Sequence, residues 1–404
     1  MKPFVNLLFF ALLVYSCGNS QINTQDKQLN KNSNKLTEKP ILTGAEQPEL
    51  YLDLLKYKRV GLVVNQSSLI KQKHLVDFLL ENKINLVKIF APEHGFRGNI
   101  DRGDHVNSEI DKKTGLPIVS MFGKNRRPTN EQLNDVDIMI FDIQDVGARF
   151  FTYISSMHEV MEACAVNSKP LIVLDRPNPL GDYIDGPVRQ PKFKSFVGMH
   201  AIPIVHGLTV GELARMINGE KWLEGGKQCK LTVTKIANYK HSMHYSLPVK
   251  PSPNLSNDLS IRLYPSLCLF EATEISIGRG TLFPFQVIGY PDPDLGDSLF
   301  IPKDIKGMQK DPEQEGKVCY GVDLRKLNPE EVKFTLKYIV DFYQNFKGKD
   351  KFFSRPEWFN LLAGNDILIE QIKKGLSEPE IKASWKTELD AYKKMRMKYL
   401  LYED

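Results

Sequence analysis

Asp137-Ile-Met-Ile-Phe-Asp-Ile143 is apolar at almost every position apart from its acids. A short run with no polar alternation has no face to offer solvent, so it predicts a strand covered on both sides. Working outward, Arg59-Val-Gly-Leu-Val-Val-Asn65, Asn85-Leu-Val-Lys-Ile-Phe-Ala91, Pro117 to Phe122 and Pro170-Leu-Ile-Val-Leu-Asp175 have the same character. Helical spacing over Leu75 to Leu80 and Thr152 to Val166 separates members of the set. Strands alternating with helices predict an α/β fold, a Rossmann-like doubly wound parallel sheet. No GxGxxG follows the first strand, so dinucleotide binding is not supported; no cofactor is expected. Thr209 to Glu220 is predicted as a helix, with Thr209 as N-cap and Glu212 at the capping-box spacing. Gln228 to Ile236 alternates as a strand. Lys250-Pro-Ser-Pro-Asn254 is a break, which divides a Rossmann-like domain over 49–252 from a smaller α+β domain over 253–404. Within the latter, Glu330 to Phe346 and Glu378 to Tyr402 are predicted as amphipathic helices, with a Gly/Pro-rich stretch, Ser276 to Pro293, before them.

The chain has 404 residues, 54 Lys and Arg against 49 Asp and Glu, 42% hydrophobic and 25% charged. These values exclude a disordered or fibrous chain and a polytopic membrane protein. No basic stripe accompanies the small positive balance, so nucleic acid is not an expected partner. Met1-Lys2 precedes an apolar run from Phe4 to Tyr15, too short to span a bilayer and suited to a signal peptide. Val14-Tyr15-Ser16-Cys17-Gly18 has the form of a lipobox, with Cys17 as the lipid attachment point; the simpler alternative is a plain signal peptide with a chance cysteine. Residues 1–17 are therefore assigned to export and 18–48, rich in Asn, Gln, Lys and Ser, to a flexible tether. This places the body outside the cytoplasm, on a membrane-anchored lipoprotein facing the periplasm. The remaining cysteines show no CxxC spacing. Cys164 and Cys268 are expected as buried thiols, whereas the state of Cys229 and Cys319 is open.

Open α/β sheets bind ligands beyond the carboxyl ends of their strands. There the sequence has Pro92-Glu93-His94-Gly95-Phe96-Arg97-Gly98 after the second strand. Asp142, Gln144, Asp145, Arg149 and Tyr153 follow the fourth, Asp175-Arg176-Pro177-Asn178 the fifth, and His206-Gly207 a later apolar stretch. Any one of these groups alone is explained by pairing or helix capping. Several charged strand tips together are costly unless they face a solvated cleft. Glu93-His94 with Asp101, Asp104 and His105 gathers potential metal ligands, but without a fixed-face spacing such as HExxH, and no metal is assigned. No GxSxG elbow supports a serine triad. Carboxylates flanking a cleft suit glycoside hydrolysis. Glu93 is the candidate acid, because its neighbours Phe90 and Phe96 give an apolar setting of the kind that favours a protonated carboxyl. Tyr153, Asn178 and His206 are candidate substrate contacts.

Longer motifs carry a resemblance. Ala-Pro-Glu-His-Gly-Phe-Arg-Gly at 91–98, Phe-Asp-Ile-Gln-Asp-Val-Gly-Ala-Arg-Phe at 141–150, Leu-Asp-Arg-Pro-Asn-Pro-Leu-Gly at 174–181, Pro-Ser-Pro-Asn-Leu at 251–255 and Phe-Glu-Ala-Thr-Glu-Ile-Ser-Ile-Gly-Arg-Gly-Thr at 270–281 occur in order. From about Gly61 to Tyr402 the chain resembles the exo-β-N-acetylmuramidase family, glycoside hydrolase family 171, formerly a domain of unknown function. The resemblance implies release of N-acetylmuramic acid from the non-reducing ends of peptidoglycan fragments, in a cleft between the two domains. It implies Glu93 as the catalytic glutamate, and His94, Arg97, Asp142, Asp145, Arg149, Asp175, Arg176, Glu271 and Arg279 as further motif positions. The lactyl carboxylate of this sugar calls for a cation, best an arginine fork; Arg279, Arg149 and Arg176 are the candidates. Asp142 or Asp145 is the expected second acid, either stabilising attack by the sugar's own acetamido group or completing a two-carboxylate mechanism with Glu93. A lipoprotein that binds muropeptides without cleaving them is the alternative.

Overall fold

The computed structural model describes residues 39–93, 95–96, 109–123 and 125–404. Cys17 with the expected signal peptide, most of the tether, His94, Arg97, Asp101, Asp104 and His105 lie outside these residues. Ile41–Asp404 forms one compact unit.

The first half supplies the strands β1 (Val60–Val64), β2 (Leu69–Ile70), β3 (Lys73–His74), β4 (Leu86–Ala91), β5 (Glu109–Ile110), β6 (Pro117–Ser120), β7 (Ile138–Asp142), β8 (Leu171–Leu174) and β9 (Leu231–Thr234). β2 and β3 make a small separate hairpin, and the other seven form one sheet in the order β5-β6-β4-β1-β7-β8-β9. Its pairings are parallel except for β5 on β6. The chain works outward from β1 to one side, then returns to β7 and works outward to the other, which is the doubly wound order.

Side chains on a strand alternate between faces, and here each face meets its own core. Met139, Phe141, Leu171 and Val173 enter one hydrophobic cluster, while Ile138, Ile140, Ile172 and Leu174 enter the other. Both faces are thus covered, and β1, β7 and β8 are buried at every position. That is why these strands read as unbroken apolar runs. The helices Tyr153–Val166 and Val210–Gly219 form where periodicity predicts them. Thr209 Oγ1 accepts from the Glu212 N–H at 3.3 Å, and the Thr209 N–H donates back to Glu212 Oε2 at 2.9 Å.

The second half holds the helix Asp258–Leu267 and a small antiparallel sheet of β10 (Val287–Tyr290), β11 (Ser298–Phe300) and β12 (Cys319–Asp323), in the order β10-β12-β11. Five helices follow, from Lys337–Asn345 to Lys386–Arg396. The Lys250–Asn254 break marks a change of architecture without separating two bodies, because the larger core cluster runs from Val63 to Tyr392. Among the described residues, Cys164, Cys229, Cys268 and Cys319 are buried and form no disulfide.

Three expected boundaries move. The folded body starts inside the expected tether: Leu42 bridges Ala237, and the Gly44 N–H donates to Asp175 O at 2.7 Å. The helix expected from Glu330 begins only at Lys337, because Pro329 opens a 3₁₀ turn that Val332 leaves in extended conformation. Burial of Phe334, together with hydrogen bonds from Thr335 Oγ1 and the Leu336 N–H to Glu378, then holds the segment extended. The long helix expected from Glu378 is broken at Trp385, which turns its ring into the core, and ends at Arg396. Beyond it the chain folds back onto the first half. The Leu401 N–H donates to Glu212 Oε1 at 2.8 Å, and Tyr402 Oη donates to Asp175 Oδ2 at 2.6 Å.

Tyr402 Oη also accepts the Ile236 N–H at 2.9 Å, so this one hydroxyl ties the C-terminal segment to two elements of the first half. Tyr402→Phe leaves a buried donor and a buried carboxylate each short of a partner. Denaturant unfolding is expected to show a loss of about 1–3 kcal/mol; wild-type stability would show that the segment is only draped on the surface.

Candidate active site

Beyond the carboxyl ends of β4 and β7, on the two sides of β1, lies a cavity of about 400 Å³. Ligand sites of small molecules occupy about 300–1,000 Å³. The first half contributes Glu93 from the tip of β4, Phe150 to Tyr153 ahead of the helix Tyr153–Val166, Phe122 and Arg126, and the loop Ser195 to Val197. The opposite wall holds Asn254 and Leu255, Tyr264 of the helix Asp258–Leu267, Glu271 and Arg279, and Trp358 and Leu362 of the helix Pro356–Ala363. Tyr153 joins the sides: its hydroxyl lies 3.4 Å from Glu93 O and 3.5 Å from Pro251 O. Burial, and then the Glu93 carboxylate, hold the Tyr153 phenol well above its ordinary pKa, so it remains a proton donor.

Glu271 and Arg279 arrive as a pair. Arg279 Nη2 stands 2.5 Å from Glu271 Oε1, and the guanidinium lies 4.7 Å from the Phe285 ring centroid. The turn that presents Arg279 needs glycine on both sides. Gly278 has φ +75° and Gly280 φ +77°, and a Cβ at Gly280 would meet Lys303 O at 2.5 Å. The loop Ser195 to Val197 is pinned by Ser155 Oγ, which donates to Phe196 O at 2.7 Å. Just beyond it His200 stacks on Trp222, and its Nε2 lies 3.1 Å from His158 Nδ1.

Of the residues singled out in the sequence, Glu93, Tyr153, Glu271 and Arg279 line this cavity. Asp142, Asp145, Arg149, Asp175, Arg176, Asn178 and His206 do not. These seven are buried, and their bonds lie within the fold. Asp142 is gripped by Arg176 through Nε at 2.6 Å and Nη2 at 2.8 Å. It is therefore a structural carboxylate, and not the second acid expected of it. Asp145 accepts the Gly147 N–H at 2.7 Å and lies 3.6 Å from His206. Asp175 accepts from Thr209 Oγ1, the Gly211 N–H and Tyr402 Oη, while burial pushes its pKa up to about 6. Asn178 closes a turn by accepting the Leu180 N–H and donating to Leu208 O.

Arg149, expected as a cation for a sugar carboxylate, has no exposed surface. It donates to Pro187 O, Ile202 O and Leu362 O at 2.7–2.8 Å, and burial pushes its pKa down to about 9. Arg176 is equally committed. Both arginines hold the strand tips and the helix Pro356–Ala363 in place behind the cavity wall. The sequence reading missed Arg126, Phe196, Tyr264 and Trp358. Among the additional wall residues, Phe150, Ser252, Asn254 and Leu255 fall within motifs that had drawn notice. Among the described residues, no group of three or more His, Cys, Asp or Glu side chains is placed to hold a metal ion.

Comparison with known proteins bears on this arrangement. A family model described as the N-terminal part of exo-β-N-acetylmuramidase NamZ matches residues 60–259, and its C-terminal counterpart matches 262–402. The chain belongs to the exo-β-N-acetylmuramidase family. It is accordingly a glycoside hydrolase. It is 40% identical to the peptidoglycan β-N-acetylmuramidase NamZ of Bacillus subtilis, over 91% of this chain and 93% of that protein. Two crystal structures of DUF1343 family proteins from Bacteroides fragilis share the fold. One has a TM-score of 0.84 at 47% identity, covering 91% of this chain and all of its own (100%). The other has a TM-score of 0.78 at 31% identity, covering 90% and 99%. The two family parts meet within the first turn of the helix Asp258–Leu267, and the cavity draws its walls from both.

The buried histidines behind the Ser195 to Val197 loop make a pH prediction. Burial, and then the charges of Lys194 and Arg127, push His158 down to about 4, and burial holds His200 well below its ordinary value. An unfolded histidine titrates near 6.5, so between these values the unfolded chain binds more protons than the folded one. Stability is then full above about pH 6.5 and is lost as pH falls toward 4. Melting temperature should drop through this window, and His158→Gln should flatten the drop. An unchanged slope in the variant would remove His158 from the account.

Proposed function

We propose that this chain is an exo-acting hydrolase that releases N-acetylmuramic acid from the non-reducing end of peptidoglycan fragments, with Glu93 as general acid/base. The observation that carries the reading is the place of Glu93: the glutamate of the family's Pro-Glu-His-Gly motif lies on a cavity walled by aromatic rings and by the Glu271–Arg279 pair. Aromatic faces suit the apolar faces of a pyranose ring. Carboxylates serve a glycosidic bond, one donating a proton to the leaving oxygen while another faces the positive charge that develops on the sugar. In this reading Glu93 is the acid, and Glu271 takes the second role for which Asp142 and Asp145 had been candidates. Tyr153 stays protonated beside Glu93 and donates a hydrogen bond. The Bacillus subtilis relative is by name a peptidoglycan β-N-acetylmuramidase, which supports the substrate class. Residues 1–17 are read as an export signal that leaves Cys17 acylated, so that the body works on the cell envelope outside the cytoplasm.

Purified protein incubated with a defined disaccharide bearing N-acetylmuramic acid at its non-reducing end is expected to release that sugar, read by mass. Glu93→Gln is expected to lower turnover by about 10²–10⁴-fold with an unchanged melting temperature. Asp142→Asn, which breaks the buried Arg176 pair, is expected to lower the melting temperature. Near-normal turnover in Glu93→Gln would remove Glu93 from its role. Tight saccharide binding by the wild type without product would favour a binding protein instead.

A further inference from the structure

Among the described residues, two arginines line the cavity, and they are held in different ways. Arg279 is paired with the Glu271 carboxylate at 2.5 Å. Arg126 is exposed, and its guanidinium carbon lies 4.0 Å from the centroid of the Phe196 ring. Its Nε donates to Gly123 O at 3.1 Å, and among the described residues no carboxylate pairs with it. Arg149 and Arg176, the other arginines considered for an acidic sugar, are buried behind the wall.

We propose that Arg126 recognises the lactyl carboxylate and so sets the preference for N-acetylmuramic acid over sugars that lack this acid. The inference rests on the function proposed above and deepens it. Glu93 and Glu271 place two carboxylates on the cavity, so an anionic sugar enters only where a positive charge is left over. The charge of Arg279 is already matched by Glu271. Among the described residues, the charge of Arg126 is not. Its two Nη groups form the side of the fork left for a carboxylate, which accepts a bidentate pair of charge-assisted hydrogen bonds. Stacking on Phe196 and the bond to Gly123 O restrain a side chain that otherwise has many rotamers, so less entropy is lost on binding. Phe196 is itself fixed through Ser155, and both Phe196 and Arg126 line the same cavity as Glu93.

The test measures competitive inhibition of sugar release by N-acetylmuramic acid and by its lactyl methyl ester, which keeps the ring and removes the charge. The wild type is expected to favour the acid by about 10- to 100-fold, the range of a charged hydrogen-bonded pair. Arg126→Gln is expected to bring the ratio close to one, and Arg126→Lys, a point charge without the fork, to leave an intermediate value. Because Arg126 is exposed, equal melting temperatures are expected, and direct calorimetric titration of both ligands gives the ratio if turnover becomes too slow to measure. An unaltered preference in Arg126→Gln, a wild type indifferent to the ester, or loss of the preference in Arg279→Gln alone would each overturn the inference. Failure of the wild type to release any sugar from the disaccharide would instead overturn the proposed function.

Discussion

Asp142 closes one of the most deeply buried strands of the sheet and has no exposed surface. A carboxylate in that position is tolerable only if it is neutralised and hydrogen-bonded within the protein, and removing its partner costs about 3–5 kcal/mol. Arg176 meets the demand with both ends of its fork, and also donates to Leu69 O at 3.1 Å. One guanidinium thereby fixes the ends of β7 and β8 and the hairpin that follows β1. The strand tips whose loops build the cavity are positioned by this pair before any wall residue is considered.

The same rule propagates along the sheet. Asp175, at the tip of β8, cannot be left bare either, and its oxygens gather Thr209, the first turn of the helix Val210–Gly219, and Tyr402 from the far end of the chain. Arg149 is the converse case, a buried cation satisfied by carbonyls, and one of these belongs to Leu362 on the opposite cavity wall. Buried charge therefore couples the halves. The cavity can be assembled from segments about 270 residues apart in sequence, Glu93 and Leu362, because the groups behind it allow few other arrangements.

This division of labour explains what was legible in the sequence. The sheet was legible because strands buried on both faces leave continuous apolar runs, and β1, β4, β6, β7 and β8 form within the runs that predicted them. The polar residues at the strand tips were legible as well, but residue type alone does not distinguish a charge that faces a cleft from one that braces it. Asp142, Asp145, Arg149, Asp175 and Arg176 brace; Glu93, Glu271 and Arg279 face the cavity. Arg126 and Trp358 carry no local signal, one lying in a short loop and the other in the first turn of an ordinary helix, and only the tertiary fold brings them to the wall. The breaks at Val332 and Trp385 escaped for a related reason. In both places burial of an aromatic side chain, Phe334 or Trp385, overrides helical periodicity.

The Glu271–Arg279 pair has a further constraint that the strand tips lack. A second cavity, of about 530 Å³, adjoins the first and shares Glu271, Arg279 and Trp358 with it. The pair stands between two cavities and is still largely buried, and part of its geometry comes from its own local surroundings. The positive φ at Gly278 and Gly280 supplies part of that restraint by setting the direction in which Arg279 leaves the backbone. The Phe285 ring beside the guanidinium supplies more. A side-chain amide from the loop between β11 and β12 adds to it, as Arg279 Nη1 lies 3.3 Å from Gln309 Oε1. An exposed Arg–Glu pair on a mobile loop contributes little and wanders. Held from the backbone, from a ring face and from an amide, this one keeps a carboxylate at a fixed place on the cavity wall, as the role proposed for Glu271 at a glycosidic bond asks.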